Sequence, residues 1–409
     1  MEIRHMLSAL WRNRTGPILI AVQIAIALTV LVNVAYVVEQ RLETYTRPTG
    51  LDIDNIFWIS TNGFRSDYNH AAAVEADLQW LNSIPGVIAA ADTISIPQTY
   101  SGYGLPFSAS PDERAPREGA RVMVMTARGI ETLGVELASG RTFSPDAVTP
   151  PQADGIGQLG KWAPEVVVSQ ALADAVFPKK DALGKTLYVG LVNQSAKIVG
   201  IIKNLQVAPV VGPFSKFASQ VVIVPGVPPG PNASYMVRTQ PGRQAEVMAK
   251  VDKEMADREP SRYIAFTQTL AKTSSDTKGW IRSSSIILGA VAILVLAVTA
   301  IGIFGLAAFN VATRTRQIGT RRAVGARKFH ILRYFFVENW LVTTSGVAIG
   351  CVAALALGVQ MSRMIQLPRL PLYYLAGGTL FVWLLGLAAV WIPARRAAAI
   401  SPAVATRTV

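Results

Sequence analysis

Three histidines, one cysteine and a Gly-Lys-Thr triplet are the side chains of this 409-residue chain that most readily do chemistry. His5, His70 and His330 are scattered, so they make no metal-ligand spacing, and none sits in a motif that would orient it toward a nucleophile. Within "ALGKT" the residues Gly184, Lys185 and Thr186 look like the end of a phosphate-binding loop, but Lys179 stands where the first glycine is required. Gly184 is therefore expected to make a turn before the strand "KTLYVG". Cys351 lies in an apolar run, has no second cysteine to pair with, and reads as a small packing residue. No catalytic residue, metal ligand or cofactor-binding residue is assigned, and an enzyme reading has nothing to support it.

The remaining candidate is "TRTRQIGTRRAVGARKFHILRYF", which starts at Thr313, lies between two long apolar stretches and contains no acid. Its residue types suit binding. A short amphipathic helix at a membrane edge can present Ile318, Ala323 and Val324 to a groove while its arginines meet acidic groups or lipid phosphates. Gly319 and Gly325 permit close approach or a bend. Taken alone, the bases would equally serve to fix membrane topology.

The elements around this segment follow from hydropathy and charge. Hydrophobic residues make up 51% of the chain, which is enough for several membrane spans besides a folded domain. The formal charge of +13 is not spread evenly: 17 of the 39 bases but only 2 of the 26 acids, Glu2 and Glu338, lie outside residues 39–277. A near-neutral middle with basic flanks to apolar stretches is the pattern of a membrane protein, and no nucleic-acid partner is expected. Spans are expected at 17–38, 284–310, 337–361 and 372–393, each long enough to cross a bilayer. Arg4, Arg12 and Arg14 precede the first, seven bases separate the second from the third, and Arg395, Arg396 and Arg407 follow the last. These three groups fall on one side if the spans alternate. The segments 1–16, 311–336 and 394–409 are then cytoplasmic, residues 39–283 form a large outer domain, and 362–371 is a short outer loop. The first span is too long for a signal peptide and offers no small-residue cleavage site after it, so it reads as an uncleaved anchor.

In the outer domain, "DIDNIFWIS" and "VIAAADTISI" read as strands bracketing a helix over 70–83, with Val74, Leu78 and Leu81 on one face. "ASYMVRT", "GRQAEVMAKVDKEMADRE" and "RYIAFTQ" repeat the order. The expected fold class is an α-helical integral membrane protein with four transmembrane helices and a large α+β extracytoplasmic domain, two βαβ-like units enclosing a β-rich insertion, between helices 1 and 2. Polar extensions, "EQRLETYTR" after the first span and "QTLAKTSSDTKGWIRS" before the second, are expected to continue the helices. The apolar centres of the spans carry no Asp, Glu, Lys or Arg to mark an ion path, while Gly302, Gly305, Gly346, Gly350, Gly377 and Gly378 favour close helix packing.

"RTRQIGTRRAVGARKFHILRYFFVENWLV" resembles the cytoplasmic segment of FtsX/MacB-type ABC transporter permeases, the type VII or mechanotransmission group. Their pattern R-x-R-E-I-G-x-R-R-A-x-G-A is matched by Arg314, Arg316, Ile318, Gly319, Arg321, Arg322, Ala323, Gly325 and Ala326, with Arg327 following. Glu338 matches the acid that usually opens the third span. Gln317 stands where the family usually has Glu, and Thr313 where another acid is common. "PARRAAAISPAVATR" resembles the family's ending, and "LGVELASGRTF", "VVVSQALADAVFPKKDALGKTLYVG" and "IVGIIK" resemble the MacB-like periplasmic core domain.

The resemblance implies a coupling helix, formed by residues 314–319, 321–323 and 325–327, docked on a separate cytoplasmic ATPase that binds the ATP; this chain itself holds no cofactor. It implies a permease in the inner membrane with both termini cytoplasmic, paired with a second copy in a homodimer or related heterodimer, and contacting membrane lipids and, in an export role, a periplasmic adaptor protein. The implied activity is ATP-driven movement of the outer domain for export or extraction of a periplasmic or outer-leaflet substrate. The alternative is an FtsX-like signalling permease that transports nothing and activates an extracytoplasmic partner such as a cell-wall hydrolase. The missing acids suggest a weakened coupling contact beside a non-identical permease that retains them.

Overall fold

The computed structural model describes residues 15–149, 162–178, 181–190, 194–208, 216–365 and 368–400, so the expectations placed on Arg4, Arg12, Arg14, Lys179 and Arg407 lie outside the described residues. The chain divides into two compact units, residues 43–281 and residues 1–42 with 282–409. Helix α1 (Thr15–Thr46) leads into the first of these, the globular unit.

The globular unit opens with β1 (Ile56–Gly63), α2 (His70–Ser83) and β2 (Val87–Asp92). An insertion follows, made of β3 (Tyr103–Ser108), β4 (Glu118–Met125), α3 (Gly129–Leu133), β5 (Leu137–Gly140), β6 (Glu165–Ser169), α4 (Gln170–Val176), β7 (Thr186–Val189), β8 (Gln194–Ile202), α5 (Lys216–Ser219) and β9 (Val221–Pro225). The unit closes with β10 (Asn232–Thr239), α6 (Gln244–Arg258) and β11 (Arg262–Thr269). The two strand-helix-strand halves interleave in one antiparallel sheet of order β11-β1-β10-β2, the split βαβ arrangement, so neither half could form without the other.

Alternation along β1 builds two cores from one strand. Phe57 and Ile59 face Val74 and Leu81 of α2 and Val247, Val251 and Met255 of α6. Ile56, on the opposite face, packs with Met123, Val167, Val221 and Ile223 of the insertion. The insertion is a closed barrel. Its sheet runs β5-β8-β6-β9-β4-β3-β7, and β7 pairs back onto the first half of β8, which closes the ring among the described residues. Its interior holds Phe107, Val122, Val166, Val168, Leu187, Ile198 and Val222.

Both strands expected at the start of this unit are shorter than their sequence patterns. In "DIDNIFWIS" the first half is a 3₁₀ turn, Ile53–Asn55, because Asp52 accepts from Asn55 Nδ2 at 2.7 Å and pairs with Arg238 at 2.8 Å. In "VIAAADTISI" the strand stops at Asp92, where the barrel captures the chain: Asp92 N–H donates to Thr126 Oγ1 at 3.0 Å and Thr93 bridges to Met125. The chain then turns at Gln98, the one non-glycine residue with positive φ (64°) among those described. Gly184 takes φ +77° ahead of β7, and its N–H is used by Ile198 O at 2.8 Å, so the Gly-Lys-Thr triplet is a turn.

The membrane unit holds the apolar parts of α1 and of α7 (Leu270–Thr313), then α8 (Thr315–Ala323), α9 (Lys328–Ile365) and α10 (Leu372–Ala399). Among the described residues four helices, α1, α7, α9 and α10, are long and apolar enough to cross a membrane, and each contains one expected span. Both polar extensions are helical in part: α1 continues to Thr46 and α7 begins at Leu270. Helix α1 is central, with Ile20, Ala21, Ile24, Ala25, Leu28 and Val32 all buried. Other helices reach it through glycine: a Cβ on Gly346 would sit 2.7 Å from Ala21 O, one on Gly350 3.0 Å from Ala25 Cα, and one on Gly378 2.5 Å from Val32 Cγ2. Gly302 likewise meets Gln23, whereas Gly305 and Gly377 face open space, so those two pairs split between packing and non-packing members.

Polar side chains unremarked in the sequence add hydrogen bonds between helices. Gln23 Nε2 donates to Val298 O at 2.9 Å, Asn33 Nδ2 to Ala354 O at 3.3 Å and Asn339 Nδ2 to Gly386 O at 3.2 Å. Such bonds contribute about 0.6 kcal/mol each on average and fix register as much as stability. Cys351 is half-buried, with Sγ 3.6 Å from Thr379 Oγ1.

Candidate functional site

The arginine-rich segment is built around a break and a stop. Helix α7 ends at Thr313, Arg314 leaves helical geometry with φ −104° and ψ 12°, and α8 starts at Thr315. At the other end Gly325 N–H donates to Arg322 O at 3.1 Å and Ala326 N–H to Arg321 O at 3.0 Å. This is a Schellman stop, with Gly325 at φ +100° in the left-handed position it requires. The expected bend therefore lies at Gly325. Gly319 is buried within α8.

One face of α8 is fastened to the membrane unit. Arg314 Nη1 lies 3.1 Å from both carboxylate oxygens of Glu338 and donates to Tyr334 OH at 3.0 Å. The Glu338 side chain is 7% exposed and that of Arg314 24%, which places the pair at a partly wet margin of the bundle. Arg321 lies over the Tyr334 ring at 5.4 Å, and an Arg322 guanidinium N–H donates to Ile400 O after α10. Ile318 is buried in the cluster that includes Ile331, Phe335, Ala394 and Ala397. The expectation that Ile318 faces a docking groove is thus corrected: its position on the helix turns it toward α9 and α10, whose apolar surface outcompetes solvent for it. Beside Glu338 a cavity of about 30 Å³, with Asn310 and Asn339 in its wall, has room for one water.

The other face is free of these contacts. Arg316, Gln317, Ala323, Gly325 and Arg327 are exposed, Val324 is 85% exposed, and Arg321 shows one side to solvent. Ala326 is half-buried. The predicted residues are therefore brought together in two groups, an anchoring set of Arg314, Ile318, Arg322 and Glu338, and a presenting set around Val324. Tyr334 was missed, although its spacing of four from Glu338 placed both on one face of α9.

Among the described residues no group of three or more His, Cys, Asp or Glu could hold a metal. His70 Nε2 is 2.9 Å from Pro228 O, and burial lowers its pKa. In the globular unit Asp77 binds Arg262 and accepts from Tyr235 OH at 2.7 Å, all three buried. Burial alone would lower the Arg262 pKa, but the hydrogen bonds and charge of Asp77 outweigh it and raise it.

Residues 18–258 match the MacB-like periplasmic core domain, and residues 289–402 match the FtsX-like permease C-terminal domain. The chain belongs to the MacB/FtsX-like permease family. A Marinobacter nauticus relative described as macrolide export ATP-binding/permease protein MacB is 27% identical over 346 residues, covering 80% of this chain and 48% of that protein. The Bordetella avium protein of the same description is 26% identical over 286 residues, covering 66% and 40%. The chain thus spans about half the length, or less, of these curated relatives. Among solved structures, the periplasmic region of MacB from Actinobacillus actinomycetemcomitans aligns at 14% identity over 56% of this chain and 94% of that one, with TM-score 0.35. The extracellular domain of YknZ aligns at 14% identity over 51% and 100%, with TM-score 0.31. In this MacB/FtsX-like permease the arginine-rich helix, α9 and α10 fall inside the FtsX-like segment, while the whole barrel and the split sheet except β11 fall inside the MacB-like one.

Proposed function

We propose that this chain is the membrane-spanning part of an ABC transporter and that α8 is its coupling helix, docked on a cytoplasmic ATPase. The arginines of the α8 segment and of the last turns of α10, Arg395 and Arg396, favour the orientation with α8 in the cytoplasm and the globular unit on the far side. Closure of the ATPase pair on ATP would push α8. Arg314, Ile318 and Arg322 would pass that push to the bundle, and the helical extensions of α1 and α7 would carry it toward the globular unit. The product of the stroke is export or extraction of a periplasmic or outer-leaflet substrate. That choice over a signalling permease is supported by the match to relatives named for macrolide export. A second permease copy, identical or related, fits the exposed stripe of Ile287, Leu294 and Ile301 on α7, and a periplasmic adaptor fits an export role.

The single observation that carries the coupling reading is the two-sided α8 segment: one face fastened inward by an ion pair, the other offering an apolar knob, Val324, flanked in sequence by the exposed Arg321 and Arg327. Mild-detergent purification of the tagged chain, with mass spectrometry and ATPase assay of the eluate, tests it. An ABC-type ATPase is expected in the eluate and is expected to be lost on Val324→Glu, a change that touches no buried contact. Failure to recover an ATPase in several detergents, or its undiminished recovery with the variant, sinks the proposal.

A further inference from the structure

Helices α9 and α10 carry a second cluster of arginines that the anchoring and presenting faces of α8 do not use. Their register is fixed by three contacts: Asn339 to Gly386 at 3.2 Å, the Phe336 and Trp391 rings at 5.9 Å, and Cys351 to Thr379 at 3.6 Å. The residue numbers rise on one helix as they fall on the other, so the helices are antiparallel. Arg333 lies three residues before Phe336 and Arg395 four residues after Trp391, so both arginines sit about 5 Å beyond the ring pair in the same direction.

The faces agree as well as the levels. Phe329, Arg333, Phe336 and Trp340 are spaced four, three and four apart, which puts them on one stripe of α9. Arg395 is four residues from Trp391 and stacks on its ring at 4.6 Å. Arg333, Arg395, Phe329, Trp340 and Trp391 are all exposed. Glu338, the one acid after residue 277, points away from this stripe and is held by Arg314. Two arginines thus face outward in an aromatic-framed patch, acid-free among the described residues, at one end of the spanning helices. Arginines placed only to fix topology need no aromatic frame and no matched level on two helices.

We propose that Arg333 and Arg395, with the Trp391 and Phe336 rings about one turn farther along the helices beneath them, form a binding site for the phosphate headgroup of an anionic phospholipid, whose acyl chains run along Trp340 and the apolar surface beyond it. Charge selects the occupant: a zwitterionic lipid presents its phosphate with a compensating cation, while an anionic one leaves the full charge to the two guanidinium groups. The tryptophans supply the amphipathic rings that settle at headgroup depth. The site depends only on the chain lying in a bilayer and stands or falls separately from α8 as a coupling helix.

The test uses the full chain in nanodiscs of phosphatidylcholine doped with a low, equal fraction of brominated phosphatidylglycerol or brominated phosphatidylcholine. Quenching of Trp391, assigned by difference from Trp391→Phe, reports which lipid touches the ring. Brominated phosphatidylglycerol is expected to be enriched at Trp391 by about 5-fold for each arginine engaged. Arg333→Gln with Arg395→Gln should abolish the preference, while Arg316→Gln with Arg327→Gln, on the presenting face of α8, should leave it. Equal quenching by the two lipids in the unaltered chain, or a preference that survives loss of Arg333 and Arg395, overturns the proposal.

Discussion

Asp92 makes the globular unit's stability depend on pH in a direction opposite to that of most carboxylates. It ends β2, is fully buried, accepts from Ser234 N–H at 2.9 Å, and leaves Oδ2 without a hydrogen-bond partner among the described residues. Burial raises its pKa from 3.8 to about 7; the hydrogen bonds from Ser234 and Thr93 pull it back in part, and the charge of Asp77 adds to the rise. Between those two values the folded chain holds a proton there that the unfolded chain has released, so stability falls as pH rises from about 4 to 7 and is level above that. A rise of about three units is worth on the order of 4 kcal/mol. For a unit of this size that corresponds to a melting shift of roughly 10 °C. Asp92→Asn keeps the shape and the acceptor for Ser234 but removes the titration. Thermal unfolding of the full chain in nanodiscs, followed by tryptophan fluorescence across this range, should show the original chain losing stability relative to Asp92→Asn as pH rises. Parallel pH profiles for the two proteins would refute the assignment of a proton to Asp92.

Two further perturbations separate anchoring from packing in the membrane unit. Glu338→Gln leaves Arg314 without its charge partner at a partly wet margin and is expected to cost about 1–2 kcal/mol, with a coupling energy of similar size to Arg314→Gln in a double-mutant cycle; additive effects on thermal unfolding would show that the pair is not a fastening. Gly346→Leu drives a side chain into the α1 backbone at Ala21 and should destabilise the full chain by about 2 kcal/mol or more, while Gly377→Leu, which faces open space, should be nearly silent; equal shifts in melting temperature would overturn the central position of α1.

Local periodicity carried much of the fold. The helix over 70–83 and the repeat of strand, helix and strand were legible because Val74, Leu81, Val247 and Val251 obey helical spacing and β1 alternates between two buried faces. What failed was where a local pattern met a distant partner. Nothing near "DID" says that Asp52 is held by Arg238, nor does "TISI" say that Thr126 ends its strand. Barrel closure was hidden for the same reason, since it depends on β8 splitting one edge between β7 and β5. The glycine pairs were ambiguous because composition does not distinguish Gly346, against α1, from Gly377, against nothing.

The arginine motif shows the same limit in a functional setting. Arg314, Arg316, Arg321 and Arg322 are one residue type at neighbouring positions, yet Arg314 is spoken for by Glu338, Arg321 by the Tyr334 ring, Arg322 by the Ile400 carbonyl, and Arg316 is exposed. This partition bears on the two acids missing from the family pattern. Thr313 satisfies its hydroxyl on Phe309 O at 3.0 Å, and Gln317 is exposed, so none of the three engaged arginines needs an acid at either position. Neutral residues there leave the fastening of α8 intact. Their consequence falls on whatever meets the outward face, where a glutamate at 317 would have offered a negative charge among the exposed bases and this chain offers an amide.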